Sequence, residues 1–439
     1  MDFFDRENET ALLREINERS FHNAQFTVIT GRRRIGKTSL VLKAYEGVDF
    51  LYFFVSKKAE SELCDDYKNE VERKLEVKIA GKITKFYELF EYLVELSKTF
   101  HLIIFIDEFQ EFLRINPSVY SDMQRIWDVN KDAAKLNLIV CGSVNSLINK
   151  IFRDHSEPLY ARQTAFMKIN PFRIEVLKDI FATYCKDYDN EDLLAFYTFT
   201  GGVPKYAELL IDNQAFTKDK IIDYIFRPES VFLSEGKNLL IEEFGRDYGI
   251  YFTVLSKIAC GVNSRTEIET EIGREIGGYL SKLEADYGVI EKKQPLLEKS
   301  PNKNVKYFIT DNFLNFWFRF VFKYNYMLEI NAHEKLKQIV SRDYNVFSGF
   351  MLEKYFMQKL MESGDFTRLG FWRDRKGENE IDIIAADELS QTVNFYEVKR
   401  QKYRINIDVL KSKADVFKHS TSVFKGFVEN YTALGIEDM

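Results

Sequence analysis

GRRRIGKT, from Gly31 to Thr38, is the stretch that decides the fold of the first part of this chain. It matches the phosphate-loop (P-loop) pattern G-x-x-x-x-G-K-[ST] at every fixed position. Residues 26–29 before it predict a short buried strand, and residues 39–44 after it predict a helix. A glycine loop between a strand and a helix N-terminus directs backbone N–H groups and the helix dipole at phosphate. The sequence therefore predicts an α/β nucleotide-binding domain.

Two side chains of this loop have specific expected roles. Lys37 is expected to reach the β- and γ-phosphates of ATP, and the Thr38 hydroxyl is expected to ligate Mg²⁺. The other loop residues predicted to bind the nucleotide are Gly31, Arg34, Ile35, Gly36 and Ser39. The alternative is a chance match to the pattern, which the flanking strand and helix disfavour.

The stretch HLIIFIDE, residues 101–108, ends an apolar run with two acids. Such a run predicts a strand covered on both faces, as in a parallel sheet. Its carboxyl end lies at the crevice where open α/β sheets bind ligands. Asp107 is expected to hold Mg²⁺, directly or through water, and Glu108 to orient and polarise the attacking water. The alternative is a pair of solvated acids, but the upstream P-loop favours an ATPase.

A further buried strand is predicted at residues 136–143, LNLIVCGS, which ends in small polar residues. In P-loop ATPases with a strand inserted between the glycine and acidic motifs, a polar residue at this strand's end senses the γ-phosphate. Ser143 is the first candidate for this role and Asn145 the second. The alternative, a Gly-Ser turn that caps a helix beginning near Val144, stays open.

As a set, these motifs resemble the archaeal-type ATPase family of the AAA+/STAND kind. The matching segments are the P-loop, Ile106–Gln110, Cys141–Ser143, the opening Phe4–Glu7 and GGVPKY at Gly201–Tyr206. The resemblance implies that Arg6 lies beside the nucleotide base. It also implies that Pro204 packs near adenine from a helical lid that closes on ATP.

Pro158–Arg162 resembles the P-L-Y-G-R segment of the same family, with Ala161 in place of the glycine. Arg162 is the candidate arginine for reaching the γ-phosphate, because its fixed charge and planar fork suit a phosphoryl group in transfer. It would act in cis or from a neighbouring subunit, and the second case requires a homo-oligomer. The alternative is a surface arginine beside a turn.

Composition sets the broad class of the protein. The 439 residues are 45% hydrophobic and 30% charged, which is typical of a globular protein with several domains. No apolar stretch is long enough to span a bilayer, and the opening residues lack a signal-peptide pattern. The four scattered cysteines predict reduced side chains in a cytoplasmic protein. With a net charge of −6, nucleic-acid binding would need a local basic patch.

The pattern of segments predicts four domains. They are a P-loop ATPase core at 1–170, a helical lid at 171–238, a winged helix at 239–325 and a PD-(D/E)xK nuclease-like domain at 326–439.

For the winged helix, helical segments at 251–258, 264–271 and 276–283 precede two short strands. Residues 251–310 carry nine Lys/Arg against eight Asp/Glu, so DNA binding is weakly supported. A scaffold between the ATPase and the C-terminal domain is the favoured alternative.

The last domain carries an Asp and a Glu-x-Lys on successive predicted strands. Asp382 lies on the first, and Glu397 and Lys399 alternate on the second, so both point to one face. Two carboxylates would hold Mg²⁺, Lys399 would steady the developing hydroxide, and Glu353 on the preceding helix would complete the metal set. Residues 395–419 carry seven Lys/Arg against three Asp/Glu, which suits a phosphate backbone.

This part also resembles the nuclease-like domain that accompanies the ATPase family. The alternatives are a hairpin with ordinary charges and a nuclease fold without activity. The function predicted is a Mg²⁺-dependent ATPase whose nucleotide state controls a domain acting on DNA or RNA. The alternative is a signalling switch whose nuclease-fold domain is inactive and binds a partner. A third alternative is an ATP-binding protein that turns over very slowly.

Overall fold

The structure is a computed structural model that describes residues 1–245, 248–298, 304–374 and 376–439. Within it the chain forms two compact units. The first, here the ATPase unit, is Asp5–Asn170. The second, here the C-terminal unit, combines Met1–Phe4 with Pro171–Met439. The two units divide after residue 170, and the first four residues belong to the C-terminal unit.

The ATPase unit is built on a five-stranded parallel sheet with the order β2-β3-β4-β1-β5. The strands are β1 (Gln25–Thr30), β2 (Leu51–Phe54), β3 (Leu102–Asp107), β4 (Leu136–Cys141) and β5 (Ala165–Lys168). Strand β4 lies between the P-loop strand β1 and the acidic strand β3, as predicted. The α/β fold with a parallel sheet is therefore confirmed.

Helices cover both faces of this sheet. They are α1 (Glu7–Arg19), α2 (Lys37–Ala44), α3 (Glu60–Leu75), α4 (Phe86–Ser97), α5 (Phe112–Ile115), α6 (Ser118–Asn130) and α7 (Asn145–Arg153). Successive residues of β3 enter different cores, Ile103 and Phe105 on one face and Ile104 and Ile106 on the other. This explains why the strand is apolar throughout, since neither of its faces meets water.

The strand register aligns the carboxyl ends of β1, β3 and β4 at one edge of the sheet. Ile29 pairs with Cys141, and Ile106 pairs with Val140. Because the strands are parallel, the residues that follow β1, β3 and β4 all emerge at their carboxyl ends.

The C-terminal unit begins with helices. They are α8 (Ile174–Tyr184), α9 (Asn190–Thr200), α10 (Pro204–Asp212), α11 (Lys218–Ile225), α12 (Phe232–Phe244), α13 (Tyr248–Ala259), α14 (Arg265–Ile272) and α15 (Gly277–Ser281). A π-helical turn at Lys282–Asp286 leads to an antiparallel hairpin of β6 (Ile290–Lys293) and β7 (Lys306–Ile309). Helices α13 to α15 and the hairpin lie in the segment predicted to be a winged helix, and that assignment stays a prediction. Ser264 caps α14 with a capping box, in which its side chain accepts from the Glu267 backbone N–H.

The remaining helices lead to a second sheet. They are α16 (Asn312–Phe316), a π-helical turn (Trp317–Phe322), α17 (Asn325–Glu329) and α18 (His333–Ser363). The strands are β8 (Arg368–Arg373), β9 (Glu380–Asp387), β10 (Thr392–Val398) and β11 (Val428–Leu434), in the order β11-β10-β9-β8. Strands β8, β9 and β10 are antiparallel neighbours, and α19 (Ile407–Ser420) carries the chain back so that β11 runs parallel to β10.

Core packing joins α19 to this sheet. Phe417 of α19 contacts Trp372 and Phe395 edge-on, and Phe395 stacks on Tyr431 of β11. Within the described ranges, no helix combines the length and the apolar character that crossing a membrane requires.

Candidate functional site

The P-loop follows β1 and requires glycine at two positions. Gly31 has a φ of 151°, and a Cβ there would lie 2.7 Å from the backbone oxygen of Ile169. Gly36, with a φ of 85°, precedes the first residue of α2, and a Cβ there would meet nothing within 4 Å. Gly31 is thus required by space and by conformation, and Gly36 by conformation alone.

Lys37 is held inside this loop. Its side chain is buried, and Nζ donates to the backbone oxygens of Gly31 at 2.8 Å and Arg32 at 3.1 Å. Burial lowers the pKa of the ammonium group, and the nearby Glu108 and Asp107 carboxylates oppose that shift. Among the described residues, this desolvated cation donates hydrogen bonds to carbonyl oxygens, and it would gain from a phosphate partner.

Asp107 ends β3 and lies against Thr38. The Thr38 hydroxyl donates to Oδ2 at 2.7 Å, and the Tyr52 hydroxyl donates to the same oxygen at 3.3 Å. The Cys141 thiol and the Glu108 backbone N–H donate to Oδ1 at 2.7 and 2.8 Å. Hydroxyl and carboxylate oxygens are the ligands that Mg²⁺ prefers, so Thr38 and Asp107 fit the predicted ion.

Glu108 has a left-handed backbone with a φ of 54°. Its Oε2 accepts hydrogen bonds from Ser143 Oγ at 2.8 Å and from Gln110 Nε2. Helix α7 begins after Val144 and has no side-chain cap. The Ser143 hydroxyl therefore points to the predicted catalytic carboxylate and does not cap the helix. Whether it senses the γ-phosphate stays a prediction.

Other predicted nucleotide-binding residues differ in exposure. Asn145 Oδ1 accepts a hydrogen bond from Thr30, at the end of β1. Arg34 and Ser39 are exposed, whereas the Ile35 side chain lies in the core beneath the loop. Only the backbone of Ile35 is thus left for phosphate, while the Arg34 and Ser39 side chains reach solvent.

The two residues implied to lie near the base fall in different units. Arg6 is buried, precedes α1 with a φ of 78°, and donates to Glu9 at 3.1 Å and to the backbone oxygen of Asn170. Pro204 is the first residue of α10 in the C-terminal unit. Their roles beside the nucleotide stay predictions.

The prediction that Arg162 reaches the γ-phosphate in cis is wrong. Thr164 exchanges hydrogen bonds with Phe26, near the amino end of β1, so Arg162 lies at the edge of the sheet opposite the P-loop. Its guanidinium bonds to Asp128 at 3.2 Å and to the backbone oxygen of Tyr160 at 2.8 Å. A role in a neighbouring subunit stays a prediction.

In the second sheet, Asp382 and Glu397 of the predicted nuclease site lie on neighbouring strands, and Glu397 pairs with a lysine. Asp382 Oδ2 accepts a hydrogen bond from the Val398 backbone N–H at 2.7 Å. Both carboxylate oxygens of Glu397 accept hydrogen bonds from Nζ of Lys413, at 2.9 and 2.7 Å. Nζ of Lys399 lies 3.6 Å from Oε1 of Glu397. Lys399, the lysine of the predicted motif, is therefore the more distant cation. Lys413 of α19 forms the hydrogen bonds to Glu397.

These acids share a desolvated environment. Burial raises the pKa of Glu353 well above its usual value, and the charges of Asp382, Glu380 and Glu397 add to that rise. Burial also raises the pKa of Asp382 to about 6, opposed by the hydrogen bond from Val398.

The geometry does not fit the predicted metal set of Asp382, Glu397 and Glu353. Across the described ranges, no three His, Cys, Asp or Glu side chains meet in a way that could hold a metal ion. The lysine bonds already satisfy both oxygens of Glu397. We therefore derive no metal-dependent step at this sheet.

Several contacting residues were missed by sequence reasoning. Gln110 had a signal, because it follows Glu108 by two residues on a 3₁₀ turn. Tyr52 and Cys141 contact Asp107 only through strand register, and Lys413 contacts Glu397 only through the crossover helix. No local pattern marks those contacts.

Comparisons with known proteins show the family and the fold of this chain. Residues 3–210 match a family model described as an ATPase domain predominantly from Archaea, and residues 317–413 match a model of archaeal and bacterial proteins of unknown function. The chain resembles the solved Walker-type ATPase PABY2304 of Pyrococcus abyssi, with a TM-score of 0.55 and 20% identity over 72% of this chain and 96% of that one. The fold and site define an ATP-binding P-loop ATPase.

The family follows from a full-length match. The chain is 32% identical to the uncharacterised protein MJECL04 of Methanocaldococcus jannaschii, over 98% of this chain and 95% of that protein. It belongs to the same family as that protein, with an archaeal-type ATPase domain in its first half.

Proposed function

We propose that this protein is a Mg²⁺-dependent ATPase of the AAA+/STAND kind in which ATP turnover acts as a switch. The observation that carries the proposal is the meeting of Lys37, Thr38, Asp107 and Glu108 at one edge of the parallel sheet. A cation, a hydroxyl and two carboxylates at the end of a glycine loop are the groups that phosphoryl transfer to water requires.

Each group has a defined task in this proposal. Loop amides and Lys37 hold the β- and γ-phosphates, with Ser143 close to the transferred group. Thr38 and Asp107 hold Mg²⁺, which when bound neutralises phosphate charge. Glu108 orients the attacking water. Arg6 contacts the base, and the products are ADP and phosphate.

The output of the switch is the C-terminal nuclease-like domain. The C-terminal unit contains both the lid helices and the second sheet. Arg400, which directly follows the Glu-x-Lys motif, bonds to Glu191 of the lid helix α9 and to Ser348 of α18. These bonds tie the segment after β10 to the lid, so a lid that responds to ATP would carry the second sheet with it. DNA or RNA is the proposed target of this sheet.

A second candidate is a signalling switch whose nuclease-fold domain binds a partner without cleaving it. The bidentate Lys413–Glu397 pair favours it, because an occupied carboxylate is a poor metal ligand. A homo-oligomer with Arg162 acting in trans is compatible with both candidates. A cytoplasmic location is part of the proposal, supported by four free cysteines.

One experiment tests the proposal and separates the candidates. Phosphate release and cleavage of labelled DNA and RNA are measured for the wild type, Lys37→Ala and Asp382→Asn, with Lys43→Ala as a control on the exposed face of α2. Phosphate release lost only in Lys37→Ala supports the ATPase. Cleavage lost in Asp382→Asn supports the nuclease, and no cleavage with intact ATPase supports the partner-binding switch. No phosphate release by the wild type would refute the ATPase proposal.

A further inference from the structure

Gln110 contacts the predicted catalytic carboxylate from the 3₁₀ turn Phe109–Glu111. Its side chain is 1% exposed, and its Nε2 donates to Oε2 of Glu108. Ser143 donates to the same oxygen from the end of the neighbouring strand, at 2.8 Å. Two donors from separate elements thus converge on one carboxylate oxygen, and no hydrogen bond from the described residues reaches Oε1.

The side-chain amide of Gln110 is only partly hydrogen-bonded among the described residues. Its Oε1 is buried and has no hydrogen-bond partner among the described residues. A Cβ on Gly142 would lie 2.2 Å from that oxygen and 2.5 Å from Cδ1 of Ile148. The glycine that follows β4 therefore leaves the space that this amide occupies. Because an unsatisfied buried oxygen lowers stability, the arrangement suggests a use other than stability.

Glu108 is itself held in a costly conformation. A left-handed backbone is uncommon for a residue other than glycine, and it persists where the surroundings determine it. The bonds from Gln110 and Ser143 fix the side chain of the same residue. Backbone and carboxylate are thus both restrained at the position expected to orient water.

We propose that Gln110 is a positioning residue for ATP hydrolysis, an inference that rests on the ATPase function proposed above. Together with Ser143, it fixes Oε2 of Glu108 and leaves Oε1 to accept the hydrogen bond of the attacking water. The water oxygen forms a bond to the γ-phosphorus, and the bond to the β,γ-bridging oxygen breaks with its electron pair leaving on ADP. The water proton passes to Oε1 and then to solvent.

The test compares Gln110→Met, which keeps the length of the side chain and removes the donor, with the wild type. The expected result is a kcat lower by about tenfold, since a small misplacement of a catalytic group has this effect. The KM for ATP and the Kd for ADP stay unchanged, because among the described residues no hydrogen bond joins the Gln110 side chain to the P-loop. The melting temperature stays equal or rises, because the unsatisfied oxygen is gone.

Two further variants make the test decisive. Ser143→Ala removes the other donor to Oε2 of Glu108, so it lowers kcat as well. In the double variant Gln110→Met/Ser143→Ala, the fold decrease in kcat is smaller than the product of the two single decreases. Gln124→Met, on α6, removes a glutamine that makes no hydrogen bond to Glu108, and it should match the wild type.

The inference fails in either of two results while the wild type hydrolyses ATP. One is a kcat for Gln110→Met that equals or exceeds the wild-type value. The other is a fall in kcat accompanied by a lower melting temperature and weaker ADP binding, which indicates a structural role. If Gln110→Met does not fold, an unchanged kcat in Ser143→Ala overturns the inference. A wild type that binds ATP without releasing phosphate refutes the proposed ATPase function instead.

Discussion

Replacing Lys413 with methionine should loosen the second sheet, because Lys413 is the cation bound to both oxygens of Glu397. The two side chains are 18% and 11% exposed, so the pair is largely but not fully buried. Removing one partner from a fully buried pair costs about 3–5 kcal/mol. An exposed pair contributes about 0–1 kcal/mol. For this intermediate exposure, we expect a loss of about 2 kcal/mol.

Hydrogen exchange measures this loss locally, in peptides that cover β9, β10 and α19. At about 1.4 kcal/mol per factor of ten, a loss of about 2 kcal/mol makes exchange roughly 30-fold faster there. Lys411→Met on the same helix is the matched control, because its ion pair with Asp408 is exposed, and it should change exchange very little. Adding Glu397→Gln to Lys413→Met should restore most of the protection, since it removes the stranded charge.

The reasoning would be refuted by either of two results. In the first, Lys413→Met exchanges like Lys411→Met, which means that solvent already screens the Glu397 carboxylate. In the second, the double variant loses the sum of the two single losses, which means that the two side chains do not interact.

Three more predictions concern the ATPase unit. Thr38→Ala should weaken ATP binding in Mg²⁺ by about tenfold or more and leave binding in EDTA unchanged, as isothermal titration would show. Burial lowers the pKa of His101, so the folded state favours the neutral ring. This ring contributes to stability at a pH above the ordinary histidine pKa. The free energy of unfolding should therefore fall as the solution is acidified from pH 7 to 5. His101→Gln should flatten that fall, by less than about 1 kcal/mol for a half-buried ring, in melts at both pH values. Gly142→Ala should lower the melting temperature by a loss of about 1–3 kcal/mol, because its Cβ would overlap Gln110, and an unchanged melt would contradict the packing.

The parts of the molecule that depend on neighbouring residues in sequence were predictable. The P-loop, the two acids after β3 and the inserted strand β4 each follow from a contiguous pattern, because buried parallel strands are apolar and end at ligands. The register across strands was not predictable. The register places Tyr52 of β2 within hydrogen-bond distance of Asp107. It also places the amino end of β5 at the edge of the sheet opposite the P-loop.

The C-terminal site shows the same division. The sequence placed Asp382 and Glu397 on neighbouring strands, and the structure agrees. It could not rank Lys399 against Lys413, because their distances to Glu397 depend on how α19 crosses the sheet. A motif of three residues predicts which side chains share a face of the sheet. It does not predict which lysine lies within hydrogen-bond distance of the carboxylate.

The division of the chain makes the ATPase unit an insertion in the topological sense. The chain passes from one unit to the other twice, after Phe4 and after Asn170, and Arg6 bonds to Asn170 so that both ends of the insertion lie together. The first residues are anchored in the C-terminal unit, where the Asp2 N–H donates to the Tyr184 hydroxyl at 2.9 Å. A protease that cuts only near residue 170 would leave two fragments with no covalent bond between them, but Met1–Phe4 of the first fragment would still be held by hydrogen bonds and packing in the C-terminal unit. Separating the units takes two cuts, and a tag placed before Met1 reports on the C-terminal unit, not on the ATPase unit that follows it in sequence.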